Sequence, residues 1–295
     1  MTSFSEPLLK ETCTLTPSKS LTGRVNQPEW QYPLKAAVSP QYLFSAAQTL
    51  LEFSYRVAVH NREVNDGHSD PVHLDPPAFD IVIPLNTEYA YMEMNALWFF
   101  YSTTLNIAVV VCTATYNTPL ALLDLQYVQA IPKITNYTEG MKVHGGFWSF
   151  YSGVQLSLIS LLEKYANAYT QVLLTGLSLG GALSTIAALD CYKLQLKSGI
   201  ILENVIHYSF ASPRLFNVIG SNRFTSTDLV SFRSHNGSDI IPIVPLPIMR
   251  ISVFSSETQD FMHVGELEYF DDNIGSYYDN HITAYLNKYQ VTPIN

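Results

Sequence analysis

The stretch Gln171–Ala182 reads Q-V-L-L-T-G-L-S-L-G-G-A: a short apolar run, a glycine-rich turn, then the start of a helix-forming segment. No other feature constrains the chain as tightly. A strand can hand over to a helix within so few residues only where side chains are missing at the closest approach. Gly176, Gly180, Gly181 and Ala182 supply that room. The central residue, Ser178, is forced into a strained backbone conformation, and its hydroxyl projects at the carboxyl end of the strand. There it lies beside a helix N-terminus, whose free N–H groups favour developing negative charge. G-x-S-x-G alone is a modest signal. A strand before it and a helix after it are the setting that an exposed serine nucleophile requires. The doubled Gly180-Gly181 argues against a plain connection with an incidental serine.

Outside the turn, apolar spacing predicts a helix over 40–59, then strands from Phe79 to Cys112. Within that region Ala96–Ala114 carries no charge and approaches the length of a bilayer span. Yet Ser102, Thr103, Thr104 and Asn106 stand at its centre, and its flanks are aromatic and β-branched. This predicts two buried strands joined by a turn at Thr103–Asn106, not a transmembrane span. Asp124–Gly140 reads as loop. Phe147–Tyr169 reads as a helix carrying Leu156, Leu158, Leu161 and Leu162. Beyond the strand Gln171–Thr175 come a helix over Ala182–Leu196, strands at Val205–Phe210 and Leu229–Arg233, strand again over Ile251–Phe270, and a closing helix Asn280–Tyr289. Strands alternating with helices place the chain in the α/β class, with a mainly parallel central sheet flanked by helices. Residues 1–35 are polar and proline-containing, without a period, and read as an irregular N-terminal segment. Residues 36–295 read as a single domain.

A serine hydroxyl needs a base to take its proton. In strand–turn–helix sites of this type the order is serine, acid, histidine. His207, His235, His263 and His281 follow Ser178. His207 lies inside a predicted strand as a packed residue, and His235 precedes the best acid. Asp190 is mid-helix, whereas Asp239 follows the strand Leu229–Arg233 in the turn N-G-S-D and is succeeded by the apolar run Ile240-Ile241-Pro242. That suits a carboxylate held by backbone donors at the sheet's carboxyl edge. His263 sits within an apparent strand, as a structural histidine under the site. His281 opens the last helix after Gly275-Ser276 and two tyrosines, and is the base chosen here.

Charge narrows the partners. The net charge is −9 with no basic stripe, which excludes nucleic acid as a partner and disfavours anionic headgroups. Charged residues are 14% of the chain, against roughly 25% in an average soluble domain. Such a chain has either a large tyrosine-rich core or a surface that meets an apolar interface. Cys13, Cys112 and Cys191 are odd in number and far apart, which fits neither a disulfide framework nor a zinc site. His60, His68 and His73 share a polar, proline-punctuated stretch with several aspartates, but no helical or strand spacing organises them as ligands, so no metal is expected. Met1–Cys13 holds acidic residues and no apolar run, unlike a signal peptide, and this points to an intracellular protein. The triplets Asn136-Tyr137-Thr138 and Asn236-Gly237-Ser238 are short enough to arise by chance.

Several of these pieces, in this order, resemble the class 3 lipases, the fungal triacylglycerol lipase-like family of the α/β-hydrolase fold. Over roughly residues 100–290, Val143-His144-Gly145-Gly146-Phe147 matches its V-H-x-G-F, and Thr175-Gly176 with Ser178-Leu179-Gly180-Gly181-Ala182-Leu183 matches its T-G-H-S-L-G-G-A-L. Phe210-Ala211-Ser212-Pro213-Arg214 is similar to F-G-x-P-R, and Asp239 with Ile241-Pro242 to D-x-V-P. Met262-His263-Val264-Gly265 is similar to the family's structural H-x-G, and His281 with Tyr285 to its closing helix. The resemblance implies an oxyanion hole from the amides of Leu179 and Thr115. Here Cys112-Thr113-Ala114-Thr115 stands where the family has F-R-G-T or F-R-G-S, Leu177 replaces a common histidine, and Phe216 a common glycine. The spacing from His281 to Tyr285 also departs from the fungal one. Thr118–Gln126 falls where the family carries its lid, and reads equally as a surface helix with one buried face.

The expected activity is therefore serine carboxylic-ester hydrolysis without a cofactor, by Ser178, Asp239 and His281. The expected substrate is a lipid ester, an acylglycerol or phospholipid, met at a membrane or lipid-droplet surface. Rival readings are a small-ester or thioester hydrolase, an acyltransferase on the same triad, or a catalytically silent relative that binds lipid.

Overall fold

The computed structural model describes residues 28–89, 92–114, 128–250 and 257–294. In chain order the strands are β1 (Ile81–Tyr89), β2 (Met92–Ser102), β3 (Ile107–Cys112), β4 (Gln129–Ala130), β5 (Val143–His144) and β6 (Gln171–Leu177). They continue with β7 (Val205–Phe210), β8 (Val230–Asn236), β9 (Ile248–Arg250), β10 (Thr258–Asp260) and β11 (Glu266–Phe270). The α-helices are α1 (Phe44–Asn65), α2 (Gly145–Tyr165), α3 (Leu179–Cys191), α4 (Val218–Thr225) and α5 (Ala284–Lys288).

The sequence I-A-V-V-V-C of β3 shows why the sheet is buried on both faces. Side chains alternate along a strand. Ala108, Val110 and Cys112 pack with α2 and α3, while Ile107, Val109 and Val111 pack with α1. A strand covered on both sides reads as a continuous apolar run rather than an alternation. The seven-stranded sheet has the order β1-β2-β3-β6-β7-β8-β11. Its first three strands run antiparallel, and from β3 onward every neighbour is parallel. The uncharged stretch before Ala114 is thus two strands joined at 103–106, as its polar centre predicts. Among the described residues no helix is long and apolar enough to cross a membrane.

Helix α1 is fastened by a buried ion pair, Arg56 to Glu52 at 3.0 Å. The Glu52 carboxylate also accepts the backbone N–H groups of Gln31 and Tyr32 at 2.8 and 2.7 Å. The otherwise irregular segment 28–35 is thereby anchored to the helix.

Several observed elements differ from expectation. The helix after the serine starts at Leu179, not Ala182, because the turn passes directly into helical backbone. Of the expected strand Ile251–Phe270, residues 251–256 lie outside the described residues and the rest is two separate pieces, β10 pairing with β9 and β11 closing the main sheet. Asp124–Gly140 contains the two-residue β4, held to β5. Leu156 stands 67% exposed while Leu158, Leu161 and Leu162 are buried.

Candidate active site

Parallel strands deliver their following loops to one edge, and this is what assembles the site. Ser178 follows β6 near the middle of the sheet, and Asp239 follows β8 two strands away. His281 arrives from the segment beyond the edge strand β11, in a π-helical turn Asp279–Thr283 that leads into α5.

Ser178 has φ 59° and ψ −126°, a conformation that side chains other than glycine rarely adopt. The turn is held by Ser178 N–H donating to Phe210 O and Gly181 N–H donating to Ser178 O, both at 2.9 Å. A Cβ on Gly176 would lie 2.1 Å from Gly180 O, and one on Gly180 would lie 2.2 Å from Cys112 O. The glycines are therefore demanded by backbone on both sides, and the second contact brings the end of β3 against the serine turn. Ser178 is buried, and its Oγ makes no hydrogen bond among the described residues.

His281 Nδ1 lies 2.8 Å from Asp239 Oδ2 and 3.0 Å from Oδ1, with both side chains fully buried. Since the carboxylate accepts, Nδ1 carries the hydrogen, which leaves Nε2 with a lone pair. Nε2 has no hydrogen-bond partner. The two atoms that a proton relay would join, Ser178 Oγ and His281 Nε2, are thus both buried and both open. The carboxylate itself is saturated. Oδ1 also accepts Ile241 N–H at 3.0 Å, and Oδ2 accepts the Tyr285 hydroxyl at 3.1 Å. Tyr285 Oη in turn accepts Asn236 N–H at 2.9 Å. His281 and Tyr285 are four residues apart and reach one carboxylate because that spacing puts both on one helical face. Tyr277 stacks on the His281 ring, 6.2 Å between centroids.

His207 lies in a strand as expected, whereas His263, expected inside a strand, lies in the irregular segment between β10 and β11. His207 is buried in β7, Nδ1 at 2.8 Å from Ser231 Oγ and Nε2 at 3.0 Å from Ser184 Oγ, and burial pulls its pKa down to about 3. His263 donates from Nε2 to Pro242 O at 2.6 Å, and burial brings it also to about 3. Asp190 is buried in α3, accepting from Thr135, Tyr151 and Gln155. Leu179 begins α3, where its N–H has no intrahelical acceptor. Thr115 and the segment Thr118–Gln126 lie outside the described residues, as does Cys13. Among the described residues no group of His, Cys, Asp and Glu could hold a metal.

A family model described as "Lipase (class 3)" matches residues 109–249, which contain the serine turn and Asp239. Over those residues the chain is similar to the class 3 lipase family. It is 32% identical over 137 residues to a lipase of Rhizomucor miehei, covering 46% of this chain and 34% of that one. It is 33% identical over 133 residues to the secreted mono- and diacylglycerol lipase LIP2 of Malassezia restricta, covering 44% and 41%. The match thus spans only about a third of the first relative's length. A solved structure titled as a triacylglycerol lipase with a serine protease triad superposes with TM-score 0.57 at 25% identity, over 76% of this chain and 80% of that one. The α/β-hydrolase fold of this chain follows from that likeness and from the sheet order.

The relatives also correct one expectation. The composition of Met1–Cys13 pointed to an intracellular protein, but the Malassezia relative is named as secreted, which points away from that location. Neither Asn-X-Ser/Thr triplet offers a free side chain. Asn136 donates to Leu189 O and Tyr192 O at 2.7 and 2.5 Å, and Asn236 to Asp272 O and Asn280 O at 2.9 Å each.

Sequence reasoning missed two features of the site. Asn236 shapes the acid turn, its Oδ1 accepting Ser238 N–H and Asp272 N–H. An Asn three residues before the acid was the available signal. Helix α4, capped by Asn217 accepting Gly220 N–H at 2.9 Å, was also missed. Its Val218 and Ile219 are both 44% exposed, so no apolar period marks it.

Proposed function

We propose that this class 3 lipase-like chain is a serine carboxylic-ester hydrolase acting on lipid esters, with residues 36–295 as one catalytic unit. The observation that carries the reading is the buried Asp239–His281 hydrogen bond at 2.8 Å, with His281 Nε2 and Ser178 Oγ both buried and both without a partner among the described residues. His281 Nε2 takes the Ser178 hydroxyl proton as Oγ bonds to the ester carbonyl carbon. The N–H groups of Leu179 and Thr115 stabilise the oxyanion. The C–O bond to the alcohol then breaks, and His281 returns its proton to the leaving oxygen. Water, deprotonated by the same nitrogen, cleaves the acyl-enzyme and releases the fatty acid. Asp239 keeps the imidazole in one tautomer and stabilises its charged form. Likeness to a triacylglycerol lipase and to a mono- and diacylglycerol lipase supports acylglycerols as the substrate class.

The setting we propose is a neutral lipid surface. Directly after Asp239 the chain exposes Ile240, Ile243, Leu246 and Ile248, the last two at 56% and 67%. The β9–β10 pair is tied to Gln129, whose neighbour Val128 is 53% exposed. With a net charge of −9, apolar side chains rather than basic ones would make the contact. Substituting Leu246→Asp and Ile248→Asp should lower activity on emulsified triacylglycerol by about tenfold and leave a soluble short-chain ester unaffected. An equal loss on both substrates would remove the surface role.

The triad itself is tested by labelling with a fluorescent fluorophosphonate. Parent protein should label and Ser178→Ala should not. A folded parent that stays unlabelled with detergent present would favour the silent lipid-binding reading.

A further inference from the structure

Arg233 and His235 stand two residues apart on β8 and therefore face the same side of the sheet, beside their β11 partners Leu267 and Tyr269. Arg233 is only 9% exposed, yet its Nε and Nη1 are buried with no acceptor among the described residues. The Nε2 of His235 is in the same condition. Two further basic side chains close around them. Arg214 donates from Nη1 to Ile243 O and to Pro245 O, the latter at 2.9 Å. His263, its ring 6.4 Å from that of His235, holds Pro242 O. Four basic groups thus gather under the 242–245 turn.

No carboxylate answers them. Among the described residues none of the four forms an ion pair. Asp239, the acid that acts on His235 electrostatically, already accepts from His281, Ile241 and Tyr285. Burial brings Arg233 down to about 10, so the guanidinium is still charged at neutral pH. Burial and the nearby arginines hold His263 at about 3 and lower His235, so the imidazoles stay neutral. A buried guanidinium with unsatisfied N–H groups and no counter-charge is strongly unfavourable. An unpartnered, charged guanidinium N–H is a strong donor to a halide or to one oxygen of a small carboxylate.

We propose that a small solvent anion, chloride or a formate-sized carboxylate, binds between Arg233 and His235 as the missing counter-charge of this cluster. It accepts from one unpartnered guanidinium N–H of Arg233 and from the ring N–H at His235 Nε2. By neutralising the cluster it fastens the turn that Arg214 and His263 hold, and hence the loop carrying Asp239. The site is separate from the ester-cleaving groups and does not depend on the proposed activity.

The test compares thermal unfolding of the full chain in sodium chloride and in sodium gluconate at constant ionic strength, with sodium formate as a third series. Chloride or formate at about ten times its dissociation constant should raise the unfolding midpoint by about 3 °C, in a saturable way, while gluconate does not. Arg233→Met should abolish the rise. Arg233→Lys, which keeps the charge but moves the donor, should need about tenfold more anion and serves if the methionine variant does not fold. Crystals soaked in bromide should show an anomalous peak in hydrogen-bond contact with Arg233. The proposal is overturned by equal midpoints in chloride, formate and gluconate, by an anion effect that survives in both Arg233 variants, or by an ordered water alone at the position.

Discussion

Replacing Asp239 by Asn changes one atom, and the structure dictates which. The carboxylate oxygens are not equivalent: Oδ1 accepts the backbone N–H of Ile241 at 3.0 Å, while Oδ2 faces His281 Nδ1 at 2.8 Å and the Tyr285 hydroxyl at 3.1 Å. A buried backbone donor cannot be left unpaired cheaply. The Asn oxygen therefore stays opposite Ile241, and its amino group takes the Oδ2 position. There it donates to His281 Nδ1, which moves the imidazole proton to Nε2. The base then presents N–H, not a lone pair, to Ser178. Loss of the working tautomer in such a triad costs about 10⁴ in kcat, or about 5 kcal/mol of barrier. Geometry and burial are kept, so the stability cost should stay within about 1–3 kcal/mol for the hydrogen bonds disturbed. The assay is hydrolysis of a soluble short-chain ester, with KM and the unfolding midpoint measured on the same preparations. The reasoning is refuted if Asp239→Asn retains a tenth or more of parent kcat while folded.

Tyr285→Phe removes one donor from Asp239 and the acceptor of Asn236 N–H. It should lower kcat about tenfold and stability by about 1–3 kcal/mol, readable from steady-state rates and urea midpoints. Gly180→Ala places a Cβ 2.2 Å from Cys112 O, a clash with the backbone at the end of β3. Soluble folded yield, followed by circular dichroism, should collapse, whereas Gly199→Ala, with nothing within 4 Å, should still fold despite its φ of +86°. His207 and His263 fall from 6.5 when unfolded to about 3 in the fold. The unfolded chain therefore binds more protons between those values, and stability is full above pH 6.5 and declines as pH drops towards 3. Each histidine contributes up to about 1.4 kcal/mol per pH unit. Urea midpoints between pH 8 and pH 4 should show the decline, and His207→Asn should flatten it.

The sequence by itself determined the local parts. The strand, the tight turn and the helix around Ser178 are specified within a dozen residues, because steric exclusion at Gly176 and Gly180 operates at that range. The apolar runs of β3, β6 and β7 announced a sheet covered on both faces. The order of serine, acid and histidine was enough to nominate Asp239 and His281. Only tertiary structure decided that Asp239 and His281, 42 residues apart, meet at 2.8 Å, or that Tyr285 and Asn236 close the acid's remaining hydrogen bonds. It alone split 257–270 between β10 and the sheet edge, and buried Arg233 with no carboxylate paired to it among the described residues. Local sterics are written in neighbouring residues. Burial and hydrogen-bond satisfaction belong to whatever the chain folds against, and no window of sequence contains that.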